Sequence, residues 1–358
     1  MKKIQIAGLS ALTIFGSLSA VNAQSATTDP VGYTTVTCLA NSDTIVSVPF
    51  LNSTDSISSS VSGSATADGT KAEFTMSGVS GLTTDQYATL YYVRFTSGTL
   101  EGNVYQITNN GADSVKIELN GDASTDITSG DTFKIYKFWT LGSLFPVGND
   151  TIEESTGNLA FQRKSSILLP DNTSDGIQHA PAATYFLKST GWTNNSNTSE
   201  DSSNVILWPD TYFIIRHSSL VQSATTYTAT GTVDTHAKTS IPLSTRTDGP
   251  QDNYVSIPRP IDVKLNELNL FESGSFTPST GNLSFQRRDQ LLVFDNGVQA
   301  QRKAPSKIYF HNGTNWVDNG NVTGNADEAI IKASQGIIIR KYQTNDGATI
   351  FWNNTPTY

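Results

Sequence analysis

The sequence predicts an all-β protein made of two homologous β-lobes, the first carrying a small inserted β-barrel. Three observations lead there. The phrase Ser155-Thr-Gly-Asn-Leu-Ala-Phe-Gln-Arg163 returns as Ser279-Thr-Gly-Asn-Leu-Ser-Phe-Gln-Arg287, an internal duplication at an offset of 124. Short runs of β-branched and aromatic residues alternate with Gly, Asn and Ser turn signals along the chain. Helix-period patterns are absent apart from a stretch near Ile261 to Phe271.

The repeat holds its register without a gap. Between Ser155 and His217, 23 of 63 positions are identical to those 124 residues later. Asp171-Asn172 falls on Asp295-Asn296, Tyr185-Phe186 on Tyr309-Phe310, Trp192 on Trp316, and Ile214-Ile215-Arg216 on Ile338-Ile339-Arg340. Matched Gly, Asn and Pro fit turns, and matched aliphatic and aromatic residues fit one pleated core used twice. Two copies make a pair of lobes rather than a solenoid.

Taken in order, Met1 to Ala23 reads as a secretory signal peptide. Lys2 and Lys3 form the charged end, Ile4 to Ala20 the apolar stretch, and Val21-Asn22-Ala23 the cleavage site. The first lobe is expected at 24–60 and 138–233, the barrel at 61–137, a linker at 234–252 and the second lobe at 253–358. The opening strands of the first lobe are Gly32 to Leu39 and Thr44 to Phe50. Tyr254-Val-Ser-Ile-Pro258 echoes Ile45-Val-Ser-Val-Pro49, but about a hundred more residues separate the earlier copy from its repeat phrase; the excess is the barrel. Its five expected strands are Ala72 to Met76, Thr89 to Phe95, Asn103 to Ile107, Ser114 to Glu118 and Thr132 to Tyr136. Trp139 to Pro146 reads as a helical turn or packed loop, and Thr225 to Thr230 as a closing strand.

Charge and composition narrow the function. Removing Lys2 and Lys3 takes the net charge from −9 to −11, with no basic run. That argues against nucleic acid and against anionic lipid as partners. No later segment approaches the ~20 apolar residues of a transmembrane anchor. The single cysteine, Cys38, shares a strand face with Val36 and Ala40 and reads as a small buried hydrophobe.

Asp29-Pro-Val-Gly-Tyr33, Val46-Ser-Val-Pro-Phe50, Trp139-Thr-Leu-Gly-Ser-Leu-Phe-Pro146 and the paired strands ending Ile-Ile-Arg together resemble a family of secreted β-rich bacterial proteins. The resemblance implies export and a bacterial setting. It assigns no activity, so no catalytic residue follows from it.

Chemistry is hard to find in the residues themselves. His179, His217, His236 and His311 lie far apart, outside any HExxH or CxxC context, so no metal site is expected. His179 is replaced by Lys303 and His217 by Lys341 in the other copy, which reads as surface polarity. Asp171 to Asp175, and Asp122 with Asp126 and Asp131, are oxygen-rich but read as turn residues. No nucleophile elbow, P-loop or dinucleotide fingerprint occurs, and no pair of carboxyls suggests glycoside hydrolysis; no enzyme and no cofactor are expected.

Two matched features remain. Gln162-Arg163 and Gln286-Arg287 either anchor a turn or pair across strands, or else line equivalent ligand or partner surfaces. Trp192 and Trp316 either close the end of each core or stack on a sugar. The sequence thus leads to an exported, non-enzymatic structural or adhesive protein of the envelope or extracellular material. It would reside in the periplasm, on the cell surface or outside, with itself, other envelope proteins or a polysaccharide as partner. The alternative is carbohydrate binding through the paired aromatics.

Overall fold

In the computed structural model the residues described are 29–257 and 259–356; the expected leader lies outside them. The chain opens with β1 (Val31–Cys38) and β2 (Asp43–Val46). The run expected as one strand from Thr44 to Phe50 breaks after Val46, and β3 (Phe50–Asp68) starts beyond Pro49. β3 is 19 residues long and leaves the first lobe without a break to become a barrel strand. The expected boundary at 60/61 therefore falls inside a strand.

All five expected barrel strands form: β4 (Lys71–Met76), β5 (Tyr91–Phe95), β6 (Val104–Asn110), β7 (Ser114–Glu118) and β8 (Thr132–Lys137). With β3 they close in the order β3-β4-β7-β6-β5-β8 and back to β3. Closure leaves the barrel without edges of its own. Alternate residues point inward, so Phe74, Phe95, Tyr105 and Phe133 fill the lumen, with Phe74 edge-on to Phe133 at 5.3 Å.

The first lobe resumes with β9 (Trp139–Thr140) and helical turn α1 (Leu141–Leu144). Thr140 caps that turn by accepting from the Ser143 amide at 3.2 Å. Then come β10 (Ser165–Leu169), β11 (Ala183–Lys188), β12 (Gly191–Asn194), β13 (Ile206–Leu207), β14 (Phe213–His217) and β15 (Thr225–Val233). The second lobe follows as β16 (Thr239–Leu243), β17 (Gln251–Ser256), β18 (Val263–Lys264), β19 (Gln290–Val293), β20 (Lys307–His311), β21 (Trp316–Asp318), β22 (Ile330–Ile331), β23 (Gly336–Lys341) and β24 (Ile350–Asn354).

The two lobes share one topology. The sheet order is β12-β11-β10-β14-β2 in the first and β21-β20-β19-β23-β17 in the second. The small pairs β9–β13 and β18–β22 correspond, as do β1–β15 and β16–β24. Segment 234–252, expected as a linker, instead holds β16 and the start of β17. Pro242 disguises β16 as a loop, but it points outward on an outer strand while Ile241 and Leu243 enter the core.

The lobes clasp each other reciprocally. Asn172, after β10, donates to the Tyr254 carbonyl at 3.0 Å and accepts from the Tyr254 amide at 2.8 Å. Asn296, after β19, makes the same pair of bonds with Ile45, both at 2.9 Å. Each side-chain amide thus completes the exposed edge of the other lobe's sheet. Between them Ile45, Tyr212, Tyr254, Leu292, Phe294 and Ile338 form a shared apolar core. Mutual contact of equivalent residues is the logic of a two-fold interface, here within one chain.

Candidate interaction site: two equivalent loops

The repeated phrase folds into the same turn in both lobes, a single 3-10 turn at Ala160–Gln162 and at Ser284–Gln286. In the first loop the Thr156 amide donates to the Gln162 carbonyl at 3.0 Å and the Gln162 amide to the Leu159 carbonyl at 2.8 Å. Gln162 Oε1 accepts from the Leu159 amide at 3.2 Å. Gln286 does the same for Leu283, also at 3.2 Å. A Cβ at Gly157 or Gly281 would collide with that glutamine side chain, so glycine lets it fold back.

The arginines fold back too. Arg163 lies 4.5 Å from the Phe186 ring centroid and Arg287 4.4 Å from that of Phe310. Arg163 Nε donates to the Asn158 carbonyl at 3.0 Å, and Arg287 Nη2 to the Asn282 carbonyl at 3.2 Å. Partial burial lowers the pKa of both guanidiniums. Of the two readings left open by the sequence, the geometry gives Gln162, Arg163, Gln286 and Arg287 the turn-anchoring one.

Each loop presents two large apolar side chains outward. Phe161 is 73% exposed and Phe285 81%; Leu159 and Leu283 are 57% and 58% exposed. Each loop thus folds its Gln and Arg back on itself and lifts a Leu and a Phe into solvent. Sequence reasoning missed these four because apolar matches in a repeat normally report a core. The signal was present in the Gln and Arg of the same phrase, whose conserved hydrogen-bonding capacity had to be spent locally.

The two tips stand at opposite ends of the paired lobes. The loop after β19 runs along β2 until Gln301 Nε2 donates to the His217 carbonyl at 3.0 Å. That is the end of the first sheet where Ser218 Oγ holds the Arg163 carbonyl at 2.9 Å. In turn the loop after β10 runs along β17 until the Gly176 amide donates to Gln251 Oε1 at 2.8 Å, beside the end of β23. The sheets therefore pack head to tail, with one tip at each end.

The tryptophans are not a surface. Trp192 is 2% exposed and Trp316 1%. Trp192 packs against Phe145 and donates Nε1–H to its carbonyl at 2.9 Å, while Trp316 packs against Phe276. Each ring spends its area closing a core, so sugar stacking on this pair is ruled out by burial.

The surface reading of His217 is also corrected, since it is fully buried, as is its counterpart Lys341. His217 sits between Ser165 Oγ and Thr225 Oγ1, each at 2.8 Å. Thr225 Oγ1 donates to the Thr151 carbonyl, so it accepts from His217 Nε2–H, and Nδ1 accepts from Ser165. At the equivalent place Lys341 forms a buried ion pair with Asp289, whose carboxylate also accepts the Thr277 and Tyr342 amides. The oxygen-rich Asp171 turn satisfies itself: Ser174 and Thr173 bond its carboxylate and hold its pKa well below the usual range. Cys38 is buried, and burial raises its thiol pKa. No helix among the described residues is long and apolar enough to cross a membrane.

No family model, curated protein or solved structure matches this chain.

Proposed function

We propose that this chain is an exported, non-enzymatic structural or adhesive protein of the cell envelope or extracellular material, which makes its contacts through the two Leu-x-Phe tips. One observation carries the reading: the same loop, braced by the same glutamine and arginine, exposes the same two apolar side chains at both ends. Bare Leu and Phe on a braced turn cost solvation without adding to a core, and burial of a Phe against a partner recovers about 1.5–3 kcal/mol. A tip at each end suits a component that links neighbours.

The test compares the native chain with Phe161→Ser/Phe285→Ser. Cell fractionation and sedimentation velocity would show the native chain retained with the envelope or in assemblies, and the variant released as a monomer of unchanged melting temperature. Equal distribution of the two proteins would refute the assignment.

A further inference from the structure

We infer that the outer edge of β1 is a docking strand for an extended segment of another polypeptide that is free of acidic residues. β1 pairs with β15 along all eight residues, Val31 opposite Thr232 through Cys38 opposite Thr225. Its other edge has no partner strand among the described residues. The ladder fixes which groups face that edge. The Val233 amide donates to the Pro30 carbonyl at 2.7 Å, so 30/233 is a hydrogen-bonded pair. In an antiparallel ladder such pairs alternate. The even residues of β1 therefore bond β15, and Val31, Tyr33, Thr35 and Thr37 turn their amides and carbonyls away from it.

Five other edge strands among the described residues are covered. Asn296 covers β2 and Asn172 covers β17. The Ser202 amide reaches the carbonyl of Trp192 on β12, and the Ala326 amide that of Trp316 on β21. β16, the counterpart of β1, carries Pro242 and is met by Gly102 of the barrel, whose carbonyl takes the Ser240 amide. β1 has none of these devices: no Pro, no charge and no bulge in the strand. Natural sheets normally guard such an edge.

The edge also has a facing wall. Thr34 to Thr37 line a cleft of about 440 Å³ whose far side is built from the second lobe, including Asp262, Asn296, Lys332 and Ser334. Residues of both parities line it, so the strand meets the cleft with its edge rather than with one face. Lys332 is neutralised by Asp262 at 2.7 Å, and Asp295 adds an exposed carboxylate to the same wall. Ser334 is fully buried and its Oγ has no hydrogen-bond partner. A row of amide and carbonyl groups repeating every two residues, about 6.8 Å, matches an extended backbone and neither a sugar nor an ion. An uncharged row facing a wall whose surplus charge is the Asp295 carboxylate selects a strand free of acidic residues, bound by β-augmentation.

The probe is the synthetic peptide Thr-Thr-Tyr-Thr-Ala-Thr-Gly-Thr-Val, the β15 sequence already complementary to β1, followed by fluorescence anisotropy against the full chain. Saturable binding is expected, weakened about tenfold or more by Thr35→Pro, which removes one outward amide and no bond to β15. The same peptide N-methylated at alternate residues should bind no better than a scrambled control. Circular dichroism and thermal melting of Thr35→Pro establish that it folds; if it does not, Thr35 N-methylated by semisynthesis replaces it. Absence of peptide binding, binding untouched by the edge change, or dimerisation through β1 in place of peptide binding would each overturn the inference.

Discussion

Tyr212 and Gly336 hold equivalent positions in the two lobes, 124 residues apart, and they touch each other. Contact between a residue and its own counterpart places both on the local two-fold axis. A Cβ on Gly336 would overlap the Tyr212 ring, so the axis has room for one large side chain and no second. A symmetric homodimer must place the same residue there twice; a tandem chain can differ, and this one does.

Gly336→Ala should therefore destabilise the chain by about 1–3 kcal/mol through overpacking. The exchange Tyr212→Gly with Gly336→Tyr should recover most of the loss, because the axis relates the two sites. Urea unfolding of the single and double variants reads both effects.

The buried ion pair offers a second comparison between lobes. Lys341→Met would strand the Asp289 carboxylate at zero exposure and should cost about 3–5 kcal/mol. Lys341→His with Asp289→Ser rebuilds the arrangement of His217 and Ser165 and should cost less than the single change. A larger loss in the double variant would show that the two lobes' interiors are not interchangeable at this point.

Acid should loosen the fold through its histidines. Burial lowers the pKa of His217 and His311 below the ordinary value of 6.5. The unfolded chain then binds protons that the folded chain refuses, so stability is full above pH 6.5 and falls as the pH drops below it. Denaturation midpoints at pH 8, 7, 6 and 5 should decline over the last two steps. His217→Gln should flatten part of that decline. A third acid-sensitive contact acts lower. Burial raises the Asp234 pKa, but Arg94 and His236 outweigh it and hold it at about 2, so its contribution is present above pH 3.8 and lost below.

The matched tryptophans should not respond alike. Trp192→Phe removes the bond to the Phe145 carbonyl and leaves that buried oxygen unpaired, at about 1–3 kcal/mol. Trp316 Nε1 has no hydrogen-bond partner, so the same change there breaks no bond. Trp316→Phe should cost clearly less, a difference that thermal melting can resolve.

Local rules carried much of this architecture. Turn residues flanking short β-branched runs located all five expected barrel strands, and the offset of 124 aligned Asn172 with Asn296. The same rules failed wherever the deciding partner was distant. Nothing in Thr239–Leu243 reveals that it pairs with β24, and Pro242 argues against a strand at all. The tips were misread for a related cause: Leu159 and Phe161 look like core until Gln162 and Arg163 are seen folded beneath them. Likewise the polar His217 and Lys341 look superficial until Ser165 and Asp289 supply their partners across the sheet.

Asn172 and Asn296 tie the lobes together from both sides, with Tyr212 wedged at the centre. Under the proposed function, a partner bound at Phe161 would therefore stand at a set span and a set angle from one bound at Phe285. In the proposed role the molecule would work as a gauge, transmitting the spacing of one neighbour to the next.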